Sequence, residues 1–236
     1  MKNHTIEELC HYDRKYSSKN GVWHYDNLFK SADNAFYELI NNIIDQKGIC
    51  KILDLGCGDG FRTRFLSKNP NVHLVGIDIS KEGIKIARDK KIGNAEYLMM
   101  DVEQLSFKIH TFDLIIDYGS FSSFNMNYIW PKLKKIIKPN GILVGIETLG
   151  ENPLFNMKRK FNIKKKIRTK NLETKILTLN QVFIWSKDCK NFTFKTFGFT
   201  SVFLSPLVLF FDNSFINYCI KLADKLDENF FNGSLV

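Results

Sequence analysis

Apolar positions in this chain fall into short unbroken runs that alternate with stretches of three- and four-residue spacing. Phe29, Ala32, Phe36, Leu39, Ile40 and Ile43 recur at helical spacing and predict a helix over 28–44, ended by Asp45-Gln46-Lys47-Gly48. Ile52, Leu53 and Leu55 make a first buried strand, and 74–78 makes a second, with a helix-like segment over 61–68 between them. Ser80 is placed to cap a helix carrying Ile84, Ile86 and Ala87. A third strand covers 95–99, and a fourth covers 112–116 and ends at Asp117-Tyr118-Gly119. Ile129, Leu133, Ile136 and Ile137 mark the next helix. Pro139-Asn140-Gly141 turns the chain into a fifth strand over 142–146.

Strands alternating with helices of this length predict an α/β fold, a Rossmann-like three-layer sandwich with a mostly parallel sheet and right-handed crossovers. Ligands of such sheets bind beyond the carboxyl ends of the strands, which brings Asp78, Asp101, Asp117 and Glu147 to one rim. Residues 1–28 show no strong period but hold Tyr12, Tyr16, Trp23, His24 and Tyr25. Beyond 150 the pattern loosens into an expected helix over 177–185, a strand-like alternation over 192–197 and a terminal helix over 215–226.

The segment 51–60 reads K-I-L-D-L-G-C-G-D-G, so Gly56, Gly58 and Gly60 remove three side chains immediately after a strand. A backbone does this where it must turn tightly and lie against a ligand. Asp78 closes the second strand, where a carboxylate can accept hydrogen bonds from both hydroxyls of a ribose. A nucleoside-containing cofactor follows. The spacing G-x-G-x-G brings the third glycine one residue earlier than in dinucleotide loops, and no Gly-Lys-Ser or Gly-Lys-Thr follows to hold phosphates.

The 236 residues suit one domain with a sizeable core, and 44% hydrophobic content is ordinary for a globular chain. Cys10, Cys50, Cys57, Cys189 and Cys219 are odd in number and lack C-x-x-C spacing, and the histidines are dispersed. Neither a disulfide framework nor a metal site is indicated, which suits a cytoplasmic protein. Residues 1–14 are too polar for a secretory signal. The longest apolar stretch, 197–211, is too short and too interrupted to span a bilayer, leaving contact with a membrane surface open. The net charge is +9, and its excess is concentrated in Lys158, Arg159, Lys160, Lys164, Lys165, Lys166, Arg168 and Lys170. That run reads as a solvated insertion, in a chain generally rich in Lys, Asn and Ile, in preference to a site for an anionic partner, and the aromatic interleaving that single-stranded nucleic acid would want is limited to Phe161.

The D-x-G-x-G-x-G form of 54–60 resembles the first motif of class I S-adenosylmethionine (SAM) dependent methyltransferases. With Asp101 and Pro139-Asn140-Gly141 the resemblance extends over 51–147 and is greatest to the type 11 methyltransferase group. It implies SAM as cofactor and S-adenosylhomocysteine as product. Asp54, Gly56, Cys57 and Gly58 would lie under the methionine part, and Asp78 with Ile79 would hold the ribose. Asp101 and the backbone of Val102 would meet the adenine, and Asp117 completes this set, with helix capping as its other reading. The segment 147–154, E-T-L-G-E-N-P-L, and Arg168-Thr169 are similar to one type 11 subgroup, with Glu173 one residue late for its pattern. Ser122-Ser123 stand where type 11 enzymes often carry a histidine pair, and 229–236 is a poor candidate for the antiparallel strand that normally completes the sheet.

The resemblance divides the chain into an N-terminal lid and helix (1–46), a SAM-binding core (47–150) and a C-terminal part of the same domain with a substrate-side insertion (151–236). Methyl transfer is an in-line displacement at an already activated electrophile, so alignment and exclusion of water dominate. A base is needed only where the nucleophile holds a proton. His24 in the lid is the candidate base, its other reading being an ordinary surface or packing histidine, with Tyr118 and Glu147 as polar contacts at strand ends. The expected reaction is methylation of a small-molecule acceptor, at oxygen rather than nitrogen. The rivals are a nucleic-acid methyltransferase using 158–170, which lacks N-P-P-Y or D-P-P-Y after the fourth strand, and a SAM-binding partner protein without activity.

Overall fold

The structure, a computed structural model, describes residues 3–17, 30–150, 153–165, 176–197, 218, 222 and 233–235. Five strands form one parallel sheet in the order β3-β2-β1-β4-β5: β1 Cys50–Leu55, β2 Val72–Asp78, β3 Ala95–Met99, β4 Phe112–Tyr118 and β5 Ile137–Ile146. The order reverses between β1 and β4, which opens a crevice at their carboxyl ends.

Alternation along each strand feeds two separate cores. Ile52, Leu74, Leu114 and Ile116 face helices α2 (Lys30–Lys47) and α3 (Lys81–Asp89), packing with Phe36, Ile40, Ile43, Ile84 and Ala87. Leu53, Leu55, Val75, Ile77 and Ile115 face the other way, onto Ile129, Leu133 and Ile136 of α4 (Met126–Ile136). Both sheet faces are thus covered, as parallel sheets require. Each fully buried Ile or Leu contributes about 1.5–3 kcal/mol. Ser80 caps α3, its Oγ accepting the Gly83 N–H at 3.0 Å.

Four expectations change. The segment 61–68 is not an α-helix but a turn leading into a 3₁₀ helix over Arg64–Lys68. Asn69, in extended conformation before Pro70, ends it too early for α-helical turns to build. Ile137 belongs to β5 rather than to the preceding helix. It pairs with Phe112, and Lys138-Pro139-Asn140-Gly141 bulges out opposite Asp113 before Ile142 pairs with Leu114. The residues before 28 include a helix, α1 (Asn3–Ser17), and the basic run begins inside another, α5 (Pro153–Lys164).

In the C-terminal third, Thr178 forms a capping box with Gln181 at the start of α6 (Leu179–Ser186). β6 (Phe192–Phe194) pairs antiparallel with β7 (Gly233–Leu235), so residues within 229–236 do form a strand, in a separate two-stranded sheet. Of the expected terminal helix only Tyr218 and Leu222 are described, both helical, and the rest lies outside the described residues. No helix among the described residues is long and apolar enough to cross a membrane.

Candidate active site

The glycine loop leaves β1 through three left-handed residues, Gly56 (φ 65°), Gly58 (φ 54°) and Gly60 (φ 68°), a path that side-chain-bearing residues resist. Its geometry is fixed from below. Cys57 N–H donates to the Ile77 carbonyl at 3.0 Å, and the Tyr97 ring fills the space that glycine leaves at positions 60 and 76. Asp54, only 2% exposed, accepts the Thr63 hydroxyl and thereby braces the turn after the loop. Burial pushes its carboxyl up to about 7. Its side chain therefore acts beneath the loop.

Asp78 lies at the loop's open side. Its Oδ2 accepts the Gly58 N–H at 2.9 Å and its Oδ1 the Ser80 N–H at 2.7 Å. Burial raises its pKa against the pull of those two amides. The carboxylate is thus held between the glycine loop and the start of α3, and each oxygen keeps a lone pair for a further donor. Ile79 follows, half-buried. Asp101, after β3, accepts the Glu103 N–H at 2.8 Å, and Val102 beside it is buried. Met100 N–H donates to the Asp78 carbonyl at 2.9 Å, which joins these two stations.

The acids after β4 and β5 have local partners. Asp117 is fully buried and receives the Ser120 hydroxyl, the Ser120 N–H at 3.1 Å and the Phe121 N–H at 3.3 Å. Burial first and the neighbouring Glu147 second hold its pKa well above the usual range, and its side chain caps the 3₁₀ turn at Phe121–Ser123. Glu147 accepts the N–H groups of Ser122 at 3.1 Å and Thr148 at 3.0 Å. Tyr118 donates its hydroxyl to Asp33 of α2, while Arg62 pairs with Asp33 at 2.9 Å and stacks 4.6 Å from the Tyr118 ring centroid. Burial and that carboxylate raise the phenol pKa, so Tyr118 is unsuited to act as a base. His24, with Trp23 and Tyr25, lies outside the described residues.

Sequence reasoning missed the contribution of α1. Asp13 accepts the Ser80 hydroxyl at 2.6 Å and the Glu82 N–H at 3.2 Å, at the start of α3. One turn on, Tyr16 wedges between Gly58 and Gly83, where a Cβ on Gly58 would overlap its hydroxyl. Burial, then Asp78 and Asp59, raise the Tyr16 pKa. Tyr12 reaches Ser123 at 3.4 Å across the crevice. A polar stripe Tyr12, Asp13 and Tyr16 at i, i+1 and i+4 was the available signal. Losing the Asp13 carboxylate removes a cap on α3, so Asp13→Ala should loosen α1 by about 1 kcal/mol. Limited trypsin digestion would register this as faster cleavage at Arg14 and Lys15.

The surroundings of the loop discriminate between cofactors. Asp13, Asp59 and Asp78 gather about it, and Arg62, the nearest cation after the loop, is committed to Asp33. Acids of this density repel a pyrophosphate and suit a nucleoside carrying positive charge, as the sulfonium and ammonium of SAM do.

A methyltransferase-domain family model matches residues 52–141, from β1 to the bulge of β5. Among curated proteins the chain is similar to a malonyl-[acyl-carrier protein] O-methyltransferase from Acetivibrio thermocellus, 30% identical over 122 residues, covering 50% of this chain and 42% of that protein. It is also similar to the cyclopropane-fatty-acyl-phospholipid synthase of Escherichia coli K12, 30% identical over 129 residues, covering 53% of this chain and 32% of that protein. The match spans less than half the length of either relative. A putative methyltransferase from Bacillus halodurans C-125 has the same fold, with a TM-score of 0.54 at 18% identity over 69% of this chain and 71% of that one. The glycine loop, the acid-lined crevice and the match over 52–141 support a class I SAM-dependent methyltransferase core within this chain.

Proposed function

We propose that the chain transfers the methyl group of SAM to a small-molecule acceptor in the cytoplasm, at oxygen rather than nitrogen. The observation that carries this is the Asp78 carboxylate, aimed at the crevice by the Gly58 and Ser80 amides in a setting rich in acids. The choice of oxygen draws on the likeness to a malonyl-[acyl-carrier protein] O-methyltransferase.

SAM, when bound, supplies a methyl group already activated by its sulfonium charge. Asp78 holds the ribose hydroxyls. Asp101 and the Val102 backbone meet the base, and Gly56, Cys57 and Gly58 lie beneath the amino-acid part. Residues 1–46 supply a lid and a helix; α1 acts in the lid and excludes water with Tyr16 and Tyr12, while α2 packs in the core. Asp54 and Asp117 serve from below, bracing the loop and the β4 turn. Tyr118 and Glu147, tied to Asp33 and to backbone amides, shape the acceptor wall rather than move protons. For a hydroxyl acceptor the base is assigned to His24, histidine being the side chain whose unperturbed pKa lies near neutrality.

Transfer of labelled methyl from SAM to candidate acceptors bearing hydroxyl or carboxyl groups tests this reading. His24→Ala should leave cofactor affinity intact and lower kcat; a fall of less than about threefold would make His24 structural. A second reading is a SAM-binding protein without activity, favoured by the commitment of Tyr118 and Glu147 to structural partners. It predicts binding with no transfer to any acceptor.

A further inference from the structure

α5 leaves the rim of the sheet six residues after Glu147 and has two unlike faces. On its inward face, polar groups clamp the helix to the exit of β5. Arg159, 8% exposed, donates to the carbonyls of Thr148 at 2.5 Å and Leu149 at 3.2 Å, and Asn156 donates to Gly150 at 2.6 Å. Arg159 is thereby withdrawn from any anionic partner.

The outward face carries Met157 and Phe161. Met157 is 65% and Phe161 54% exposed, one helical turn apart, with Lys160, Lys164 and Lys165 exposed around them. The Lys165 ammonium lies 4.5 Å from the Phe161 ring centroid. An exposed Leu or Met alone needs no explanation. Here two large apolar side chains point to water one turn apart within a group of exposed lysines, while Arg159 and Asn156 are turned inward as anchors. Lys166, Arg168 and Lys170 extend the positive charge in the sequence.

We infer that this face of α5 docks onto an anionic phospholipid bilayer. Apolar side chains ringed by lysines match the boundary between headgroups and acyl chains, where Met157 and Phe161 would be buried and the ammonium groups would meet lipid phosphates. Charge complementarity alone would equally suit a nucleic acid. A nucleic acid gains nothing from Met157, however, and wants successive aromatic platforms, of which α5 offers one. Because α5 is anchored to the strand end that carries Glu147, docking sets the crevice rim near the membrane surface.

The test is co-sedimentation of the full chain with vesicles of phosphatidylcholine, with and without phosphatidylglycerol. Binding is expected to the phosphatidylglycerol vesicles only. Joint replacement of Lys160, Lys164 and Lys165 by Gln should weaken it roughly a hundredfold, at the usual contribution of a lysine near an anionic surface. Joint replacement of Met157 and Phe161 by Ser should weaken it about tenfold, since both are only partly buried on docking. S-adenosylhomocysteine affinity should be unchanged in both variants, which shows that the fold is intact. No binding to phosphatidylglycerol vesicles, equal binding to both vesicle types, or wild-type binding by the Ser variant would overturn the inference. So would a lysine variant that loses RNA or DNA binding while keeping vesicle binding.

Discussion

Asp78→Ala is expected to weaken S-adenosylhomocysteine binding by about 1.5–3 kcal/mol, roughly ten- to 150-fold in Kd. Two effects act together. The variant removes the acceptor proposed for the ribose hydroxyls, and it releases the Gly58 and Ser80 amides that the carboxylate holds at 2.9 and 2.7 Å. The second effect can be separated from the first. Asp78→Asn keeps one carbonyl acceptor but cannot take up both amides and both hydroxyls, so its loss should fall between wild type and Asp78→Ala. Titration calorimetry on the three proteins would give the order. Equal affinities would place the cofactor elsewhere.

Asp54→Asn is expected to change the pH dependence of stability. The folded carboxyl, raised by burial to about 7, stays protonated where an unfolded aspartate, near 3.9, has already ionised. Below about pH 4 both states hold the proton and no penalty exists. Between about pH 4 and 7 the unfolded chain binds fewer protons than the folded one, so stability falls as pH rises. Above that window the penalty is constant, on the order of 4 kcal/mol. Asparagine does not titrate and can still accept the Thr63 hydroxyl. Asp78 and Asp117 shift in the same direction but are present in both proteins, so they cancel in the comparison. Denaturant unfolding should therefore show the variant gaining on wild type from pH 4 to 7 and running parallel above it. Parallel profiles throughout would mean that Asp54 is ionised in the fold.

The parts of the fold legible in the sequence are those where burial dictates residue type. β1, β2 and β4 are buried on both faces and read as continuous apolar runs, and Ser80 declares its helix by cap chemistry. The helices that escaped notice hide polar groups inside. α1 presents Glu8, Leu9, Tyr12, Asp13 and Tyr16 inward at helical spacing, but its acids break the hydrophobic period. α5 buries Arg159 and exposes Met157 and Phe161, so these positions run against the hydrophobic period. The pairing of β6 with β7 joins residues about forty positions apart, beyond the reach of local pattern.

The candidate site divides in the same way. Gly56, Gly58, Gly60 and Asp78 are dictated by backbone conformation and strand register, and both leave marks in sequence. The directions of Asp117, toward Ser120, and of Tyr118, toward Asp33, depend on partners brought in by tertiary packing. Nothing at positions 117 and 118 alone announces them.

Titration of S-adenosylhomocysteine into the wild-type full chain, alone and with excess NAD or ATP present, tests the central claim most directly. The acid-lined loop predicts saturable binding at one site that neither NAD nor ATP displaces. Absence of that binding, or its displacement by NAD, would contradict the assignment.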